Sequence, residues 1–338
     1  MLITRGYYGT VRLAEVPMKE RSVLTLADGV KLYVEAYGPR DAAVTVVLLH
    51  GWCLDRRTWH QQMAALRHRG GERPRVIAYD ARGHGRSSST QLRSATLGQL
   101  GDDLAEVLRH YAPHGPVVLA GHSMGGMTIM EYAHRHPTEF AERIAGLLFV
   151  STTAEGHTHT KYGLPPRLAM LMRAGETLGA GVLARSGPWR PHRAVLPALR
   201  PALRWLLFGD ACEESALRVT MRCVGRASLR SIGGFRSSIG AQQRLDTLAA
   251  LADVPAAVLV GDQDRLTPPA CADSIATALP GAEVTVLPGG GHMLPLERPA
   301  EVSATLAAIC RQAAASTPGE RSRRTKRAGK PGRMDQAA

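Results

Sequence analysis

The sequence predicts an α/β protein: a mostly parallel sheet covered by helices on both faces, interrupted by an all-helical insertion. Three observations carry this expectation. Short apolar runs alternate with amphipathic stretches along most of the 338 residues. The runs in the middle of the chain are continuously apolar, as in strands buried on both faces. The alternation stops over residues 152–245 and then resumes.

Taken in order, "SVLTLA" (22–27), "KLYVEAYG" (31–38) and "AVTVVLLH" (43–50) read as three strands, the last two separated by the turn-rich "GPRDA". The order then becomes a helix over 57–69, a strand "RVIAYD" (75–80) and a helix over 96–112. A strand "PVVLAGH" (116–122), a helix over 124–136 and a strand "IAGLLFVS" (144–151) follow. Residues 152–245 hold several helical periodicities broken by Pro and Gly, with no convincing strand. Beyond them come a strand in "VPAAVLVGDQD" (254–264), the stretch "PPACADSIATALP" (268–280), a strand in "AEVTVLPGGGH" (282–292) and a final helix near 298–313. The expected organisation is a core in two parts, 1–151 and 246–314, around the insertion at 152–245. A basic tail at 315–338 has almost no apolar residues and is expected to be disordered. There is no internal repeat.

Composition narrows the function classes. Hydrophobic residues make up 44% and charged residues 21% of the chain, a globular balance. No apolar run approaches the ~20 residues that span a bilayer, and the first residues lack the apolar region of a secretory signal, so the expected address is cytoplasmic. The five cysteines are scattered without C-x-x-C spacing, which argues against a disulfide framework or a zinc site. The net charge of +13 is unevenly spread: residues 152–245 carry 14 Lys and Arg against 5 Asp and Glu, and residues 311–338 carry 8 against 2. The remainder, 20 against 22, is near neutral, so a nucleic-acid-binding reading rests on charge alone. Weak, salt-dependent contact of the tail with anionic surfaces is the expectation there. Arg218, Arg222, Arg226 and Arg230 recur every four residues, as along one solvated helical stripe.

The chemistry is carried by "AGHSMGGM" (120–127), which sets Gly121, Ser123 and Gly125 in a G-x-S-x-G pattern between an expected strand and an expected helix. So sharp a turn strains the serine backbone and leaves room only for residues without a bulky side chain two positions to either side. It lifts the hydroxyl to a helix N-terminus, where N–H groups favour developing negative charge. A serine needs a base, and an acid to orient that base, further along the chain. Asp262 and Asp264 follow the strand "AAVLV", and His292 follows "EVTVL". All lie at strand C-termini, where open α/β sheets carry their sites. Two carboxylates compete. Asp264 reaches further into its loop, whereas Asp262, beside Gly261, suits a turn hydrogen bond. The glycine run 289–291 leaves His292 a flexible approach. Oxyanion donors are expected from the N–H groups of Met124 and, in the loop "HGWCLD" (50–55), Trp52. His50 reads as a structural ligand of that loop and Cys53 as a small buried residue.

Together "LLHGWC" (48–53), "YDARGHGRS" (79–87), "GHSMGG" (121–126), "GDQDRLTPP" (261–269) and "GGGHMLPLERP" (289–299) resemble the α/β-hydrolase superfamily. The resemblance is to its cap-bearing branch of esterases, lipase-like proteins, C–C bond hydrolases and cofactor-free haloperoxidase-like enzymes, and it covers roughly residues 20–314. It implies Ser123 as nucleophile, Asp264 as acid, His292 as base, Trp52 and Met124 as oxyanion donors, and the insertion as a cap over the pocket. Epoxide hydrolases and haloalkane dehalogenases, which resemble this fold, use an aspartate where this chain has Ser123. Asp80 and His84 fall in a family loop and read as scaffolding.

The expected activity is therefore a serine esterase or lipase-like hydrolase acting on a small-molecule carboxylic ester or related carbonyl compound, with no cofactor and no metal. A non-catalytic ligand-binding protein on the same fold, a C–C bond hydrolase and a haloperoxidase-like enzyme are the alternatives. His157 and His159 have H-x-H spacing without accompanying ligands, so they do not read as a metal site. Met170, Met172, Trp205, Leu206 and Phe208 have helical spacing that suits packing of the insertion against the core.

Overall fold

The computed structural model describes residues 19–67, 73–190, 196–210 and 212–315. The expected disorder of the tail falls on 316–338, outside the described residues. Eight strands form one sheet: β1 (Glu20–Thr25), β2 (Lys31–Tyr37), β3 (Thr45–Leu49), β4 (Arg75–Tyr79), β5 (Val117–His122), β6 (Ile144–Val150), β7 (Ala256–Gly261) and β8 (Ala282–Leu287). Their order is β1-β2-β4-β3-β5-β6-β7-β8. β1 and β2 are antiparallel to their neighbours. The six strands from β4 to β8 are parallel. Every residue of β3 to β7 is buried, which is why these strands read as unbroken apolar runs. At the two edges, β1 alternates in burial and β8 is mostly exposed.

Alternation along the inner strands sends side chains to two faces. On one face Val47, Ile77, Leu119 and Phe149 pack under α2 (Leu97–Tyr111), α3 (Met124–Arg135), α4 (Pro137–Arg143) and α10 (Pro269–Ala278). α2 earns its place through Leu97, Leu100, Leu104 and Leu108, one buried stripe started by Thr96, whose side chain accepts from Gln99 N–H. On the other face Val46, Leu48, Val118 and Leu148 pack under α1 (His60–Arg67) and α12 (Pro299–Ala315). α12 runs two residues past the expected end at 313.

Between β6 and β7 the described residues hold no strand; after a stretch of turns they form α5 (Pro166–Arg185), α6 (Leu196–Leu207), α7 (Glu214–Val224), α8 (Leu229–Gly240) and the short α9 (Leu245–Ala249). α8 is the inner one. Its Phe235 and Ile239 join Ala81, Leu97, Met124 and Met127 in a separate apolar cluster. α5 lies against α8, held in part by Arg236 Nη2 donating to Glu176 at 3.0 Å.

Two expectations about this insertion are corrected. The four arginines do not share one helix: α7 ends at Val224, so Arg218 and Arg222 sit on α7, Arg226 in the turn and Arg230 on α8. Gly225 and Ser228 end one helix and cap the next, a break that the spacing of four hides. Of the apolar residues expected to pack inward, Phe208 is buried, but Met170 and Trp205 are 66% and 41% exposed. No helix among the described residues is long and apolar enough to cross a membrane.

Candidate active site

β5 ends at His122, and Ser123 turns the chain into α3 with φ 52° and ψ −117°. For a residue with a side chain this is a strained, left-handed backbone. The strain is held from both sides. Ser123 N–H donates to Val150 O at 2.9 Å, and its carbonyl accepts from Gly126 N–H, Met127 N–H and Thr152 Oγ1. A Cβ added at Gly121 would lie 2.4 Å from Gly126 N, and one at Gly125 would lie 2.2 Å from Leu49 O. That crowding is the physical content of the G-x-S-x-G spacing. Ser123 is half-buried. Among the described residues nothing hydrogen-bonds its Oγ, so the Ser123–His292 link is open.

The link from His292 to an acid is closed. His292 Nδ1 lies 2.9 Å from Asp264 Oδ2 and 3.1 Å from Oδ1. Asp264 also accepts from Leu266 N–H and Thr267 N–H, each at 2.9 Å, and from Thr267 Oγ1 at 2.8 Å. Burial opposes ionisation of Asp264, but the His292 ring and these donors outweigh it and hold the carboxyl below its ordinary value. With Nδ1–H donated to Asp264, Nε2 of His292 is left as the acceptor. Asp262 is exposed and turned away, its Oδ1 accepting from Gly289 N–H at 2.7 Å.

Trp52 follows β3, and no turn, loop or cap hydrogen bond engages its N–H or that of Met124 among the described residues. Met124 is the first residue of α3, where an N–H has no partner within the helix. The loop carrying Trp52 is braced from beneath. Cys53, at φ 60°, donates its N–H to His84 Nε2 at 3.2 Å. His84 Nδ1–H donates to Arg82 O, and His50 Nε2 accepts from Ala81 N–H at 2.9 Å. Burial, then the His50 ring, drive His84 down to about 3, and burial lowers His50, so both rings are neutral scaffolding. Asp80 accepts from Arg56 Nη1 and Arg86 N–H, each at 2.7 Å, tying the same two loops together.

Two residues that the sequence reading passed over hold the His292 loop. His122 Nε2–H donates to the His292 carbonyl at 2.8 Å. Burial and then the His292 ring lower His122 to about 3, so it stays neutral. Glu297 accepts from Gly209 N–H at 2.8 Å, Met293 N–H at 2.9 Å and Gly291 N–H at 3.1 Å. Leu207 O, at the end of α6, accepts from His292 N–H at 2.9 Å. Both side chains stood inside quoted motifs, but neither spacing says which backbone they reach. The expected looseness of the glycine run is corrected as well: a Cβ at Gly291 would lie 2.3 Å from Gly209 N, so the run is packed. His157 and His159 point to different partners, Arg236 for the first and Glu155 and Ser274 for the second.

Residues 46–305 match the model of the alpha/beta hydrolase family. The chain belongs to that family. It is 27% identical over 276 residues to the non-heme haloperoxidase of Rhodococcus erythropolis, which covers 80% of this chain and 92% of that protein. It is 38% identical over a shorter stretch of 117 residues to the bifunctional esterase/perhydrolase DCH of Acinetobacter calcoaceticus, covering 34% of this chain and 40% of that one. Among solved structures, the thermophilic esterase of Thermogutta terrifontis superposes with a TM-score of 0.68 at 25% identity, over 87% of this chain and 99% of the other. The family membership agrees with the eight-stranded, mostly parallel sheet.

Proposed function

We propose that this protein is a serine hydrolase that cleaves a carboxylic ester or a related carbonyl substrate through an acyl-enzyme on Ser123. The observation that carries the reading is the strained backbone of Ser123 at the end of β5, on the same sheet edge as the bonded His292–Asp264 pair. Hydrolase chemistry is further supported by the family, and ester cleavage by the esterases among its relatives.

In this reading Ser123 Oγ attacks the substrate carbonyl while its proton passes to His292 Nε2. Asp264 holds the ring's tautomer and balances the imidazolium charge. The N–H groups of Trp52 and Met124 receive the oxyanion. His292 then returns the proton to the departing alcohol, leaving the acyl group on Ser123. Water repeats the sequence with His292 as base, releasing the acid and restoring the serine. The open Ser123–His292 link is no obstacle, since such bonds tighten once substrate is present. The helices at 152–245 serve as the cap, with Phe235 and Ile239 of α8 packed beside Met124.

Labelling by a fluorophosphonate probe tests this, read together with hydrolysis of p-nitrophenyl esters of increasing acyl length. Wild-type protein is expected to label and to turn over, and Ser123→Ala to do neither while keeping its thermal unfolding profile. Turnover retained in Ser123→Ala removes Ser123 from its role. A wild-type chain that neither labels nor hydrolyses any ester supports a non-catalytic binder on the same fold.

A further inference from the structure

Among the described residues, nothing covers the apolar outer face of α5. Leu168, Leu171, Leu178 and Val182 fall three, seven and four residues apart, on one side of the helix, and are 51%, 63%, 75% and 67% exposed. Met170 flanks this stripe at 66% exposure, and Trp189 extends it past the end of the helix at 74%. A soluble surface seldom leaves so continuous an apolar strip against water without a use for it.

The charges around the stripe have one sign. Arg167 and Arg185 are exposed at the two ends of α5, and Arg190 lies beside Trp189. The other two charged residues of the helix are turned inward. Arg173 donates to the carbonyls of His157 and Thr160, and Glu176 accepts from Tyr162 and Arg236. The remaining acids of the insertion are committed elsewhere: Glu155 to His159, Asp210 to Gln263, Glu213 to Ser215 and Glu214 to Arg200 and Arg218. The helix thus presents an apolar stripe with cations at both ends and no anion of its own.

We propose that this face docks the protein on an anionic phospholipid bilayer, with the apolar side chains of α5 and Trp189 entering the headgroup boundary and the arginines meeting lipid phosphates. The charge pattern selects this occupant over a second copy of the chain. In a twofold contact, antiparallel α5 helices would set Arg167 of one copy against Arg185 of the other with no carboxylate between them. A polyanion such as nucleic acid would meet the arginines but offer nothing apolar to the stripe. The docking is independent of the reaction assigned to Ser123.

The test is co-sedimentation of the full-length chain with phosphatidylcholine vesicles, with and without phosphatidylglycerol. Wild type is expected to bind the phosphatidylglycerol vesicles, and Leu171→Glu/Leu178→Glu to partition at least about tenfold more weakly. Both leucines are more than half exposed, so the variant's thermal unfolding should match wild type. A charge control on the far edge of the sheet, Val23→Glu, should bind like wild type. The proposal is overturned if wild type ignores the vesicles, if the double variant binds as tightly, or if Val23→Glu weakens binding equally. It is also overturned if size-exclusion chromatography shows the double variant splitting a dimer while vesicle binding is unchanged, which assigns the face to a second copy.

Discussion

At the C-terminal edge of the sheet, the loops around Ser123 and His292 are held by polar side chains that bond across them. Asp264 has four donors, Glu297 has three, and His122 reaches across to the next loop. The two outer helices of the insertion are built the other way. α6 has no buried residue, and α5 has two in twenty. Their charged residues are mostly arginines. The difference separates two demands on one molecule. Groups that move a proton must be held to within a fraction of an ångström before substrate arrives, which needs polar anchors in a low-dielectric setting. A surface that meets a substrate or a membrane needs apolar area and charge, and tolerates looser anchoring.

The comparison is broken most directly at the acid. Asp264→Asn should lower kcat by about a thousandfold or more, because the amide no longer fixes the His292 tautomer. Asp262→Asn, which keeps an acceptor oxygen for Gly289 N–H and lies away from His292, should stay within about threefold. Steady-state kinetics on one p-nitrophenyl ester decides this, and the reverse order would move the role to Asp262. The anchors come next. Glu297→Ala leaves three N–H groups around the His292 loop without their acceptor and should cost roughly ten- to a hundredfold in kcat with KM little changed. Glu297→Gln, which keeps an acceptor oxygen, should recover part of the loss. Equal kcat in both variants and wild type would show that the loop holds itself.

Acid stability sharpens the same point. The Asp264 carboxyl is held below 3.8 in the folded chain, so its contribution is fully present above that pH. As pH falls below 3.8 the unfolded chain takes up the proton first, and the contribution is lost as pH falls through the folded value. The stability gap between wild type and Asp264→Asn, measured by urea unfolding, should therefore be constant near neutral pH and close on acidification. A gap that widens instead contradicts the assignment of a depressed pKa. The smallest effects belong to the insertion. Its +9 charge should favour an ester bearing a distal carboxylate over its neutral isostere by about two- to tenfold in kcat/KM at low salt. That advantage should shrink as ionic strength rises. Equal rates at all salt concentrations would leave these arginines without a part in substrate choice.

Much of this was legible in the chain itself. Period-two and period-3.6 patterns are local, so the parallel strands and the helices flanking them could be read within a few residues of their ends. The G-x-S-x-G turn could be read too, because its glycines answer contacts made within the turn and with the adjoining strand. Loops at strand C-termini share an edge by topology, which brought Ser123, Asp264 and His292 to one side before any distance was known. The sequence favoured Asp264 over Asp262 as the longer reach into the loop; that Thr267 closes the loop and aims that carboxylate inward was visible only in the tertiary structure. The parts of His122 and Glu297 were also hidden, because the groups they grip lie on other loops. The insertion was the least legible region. Its apolar residues have the spacing of packed helices whether or not anything packs on them, and only the fold revealed that α8 faces the core while the far side of α5 faces outward.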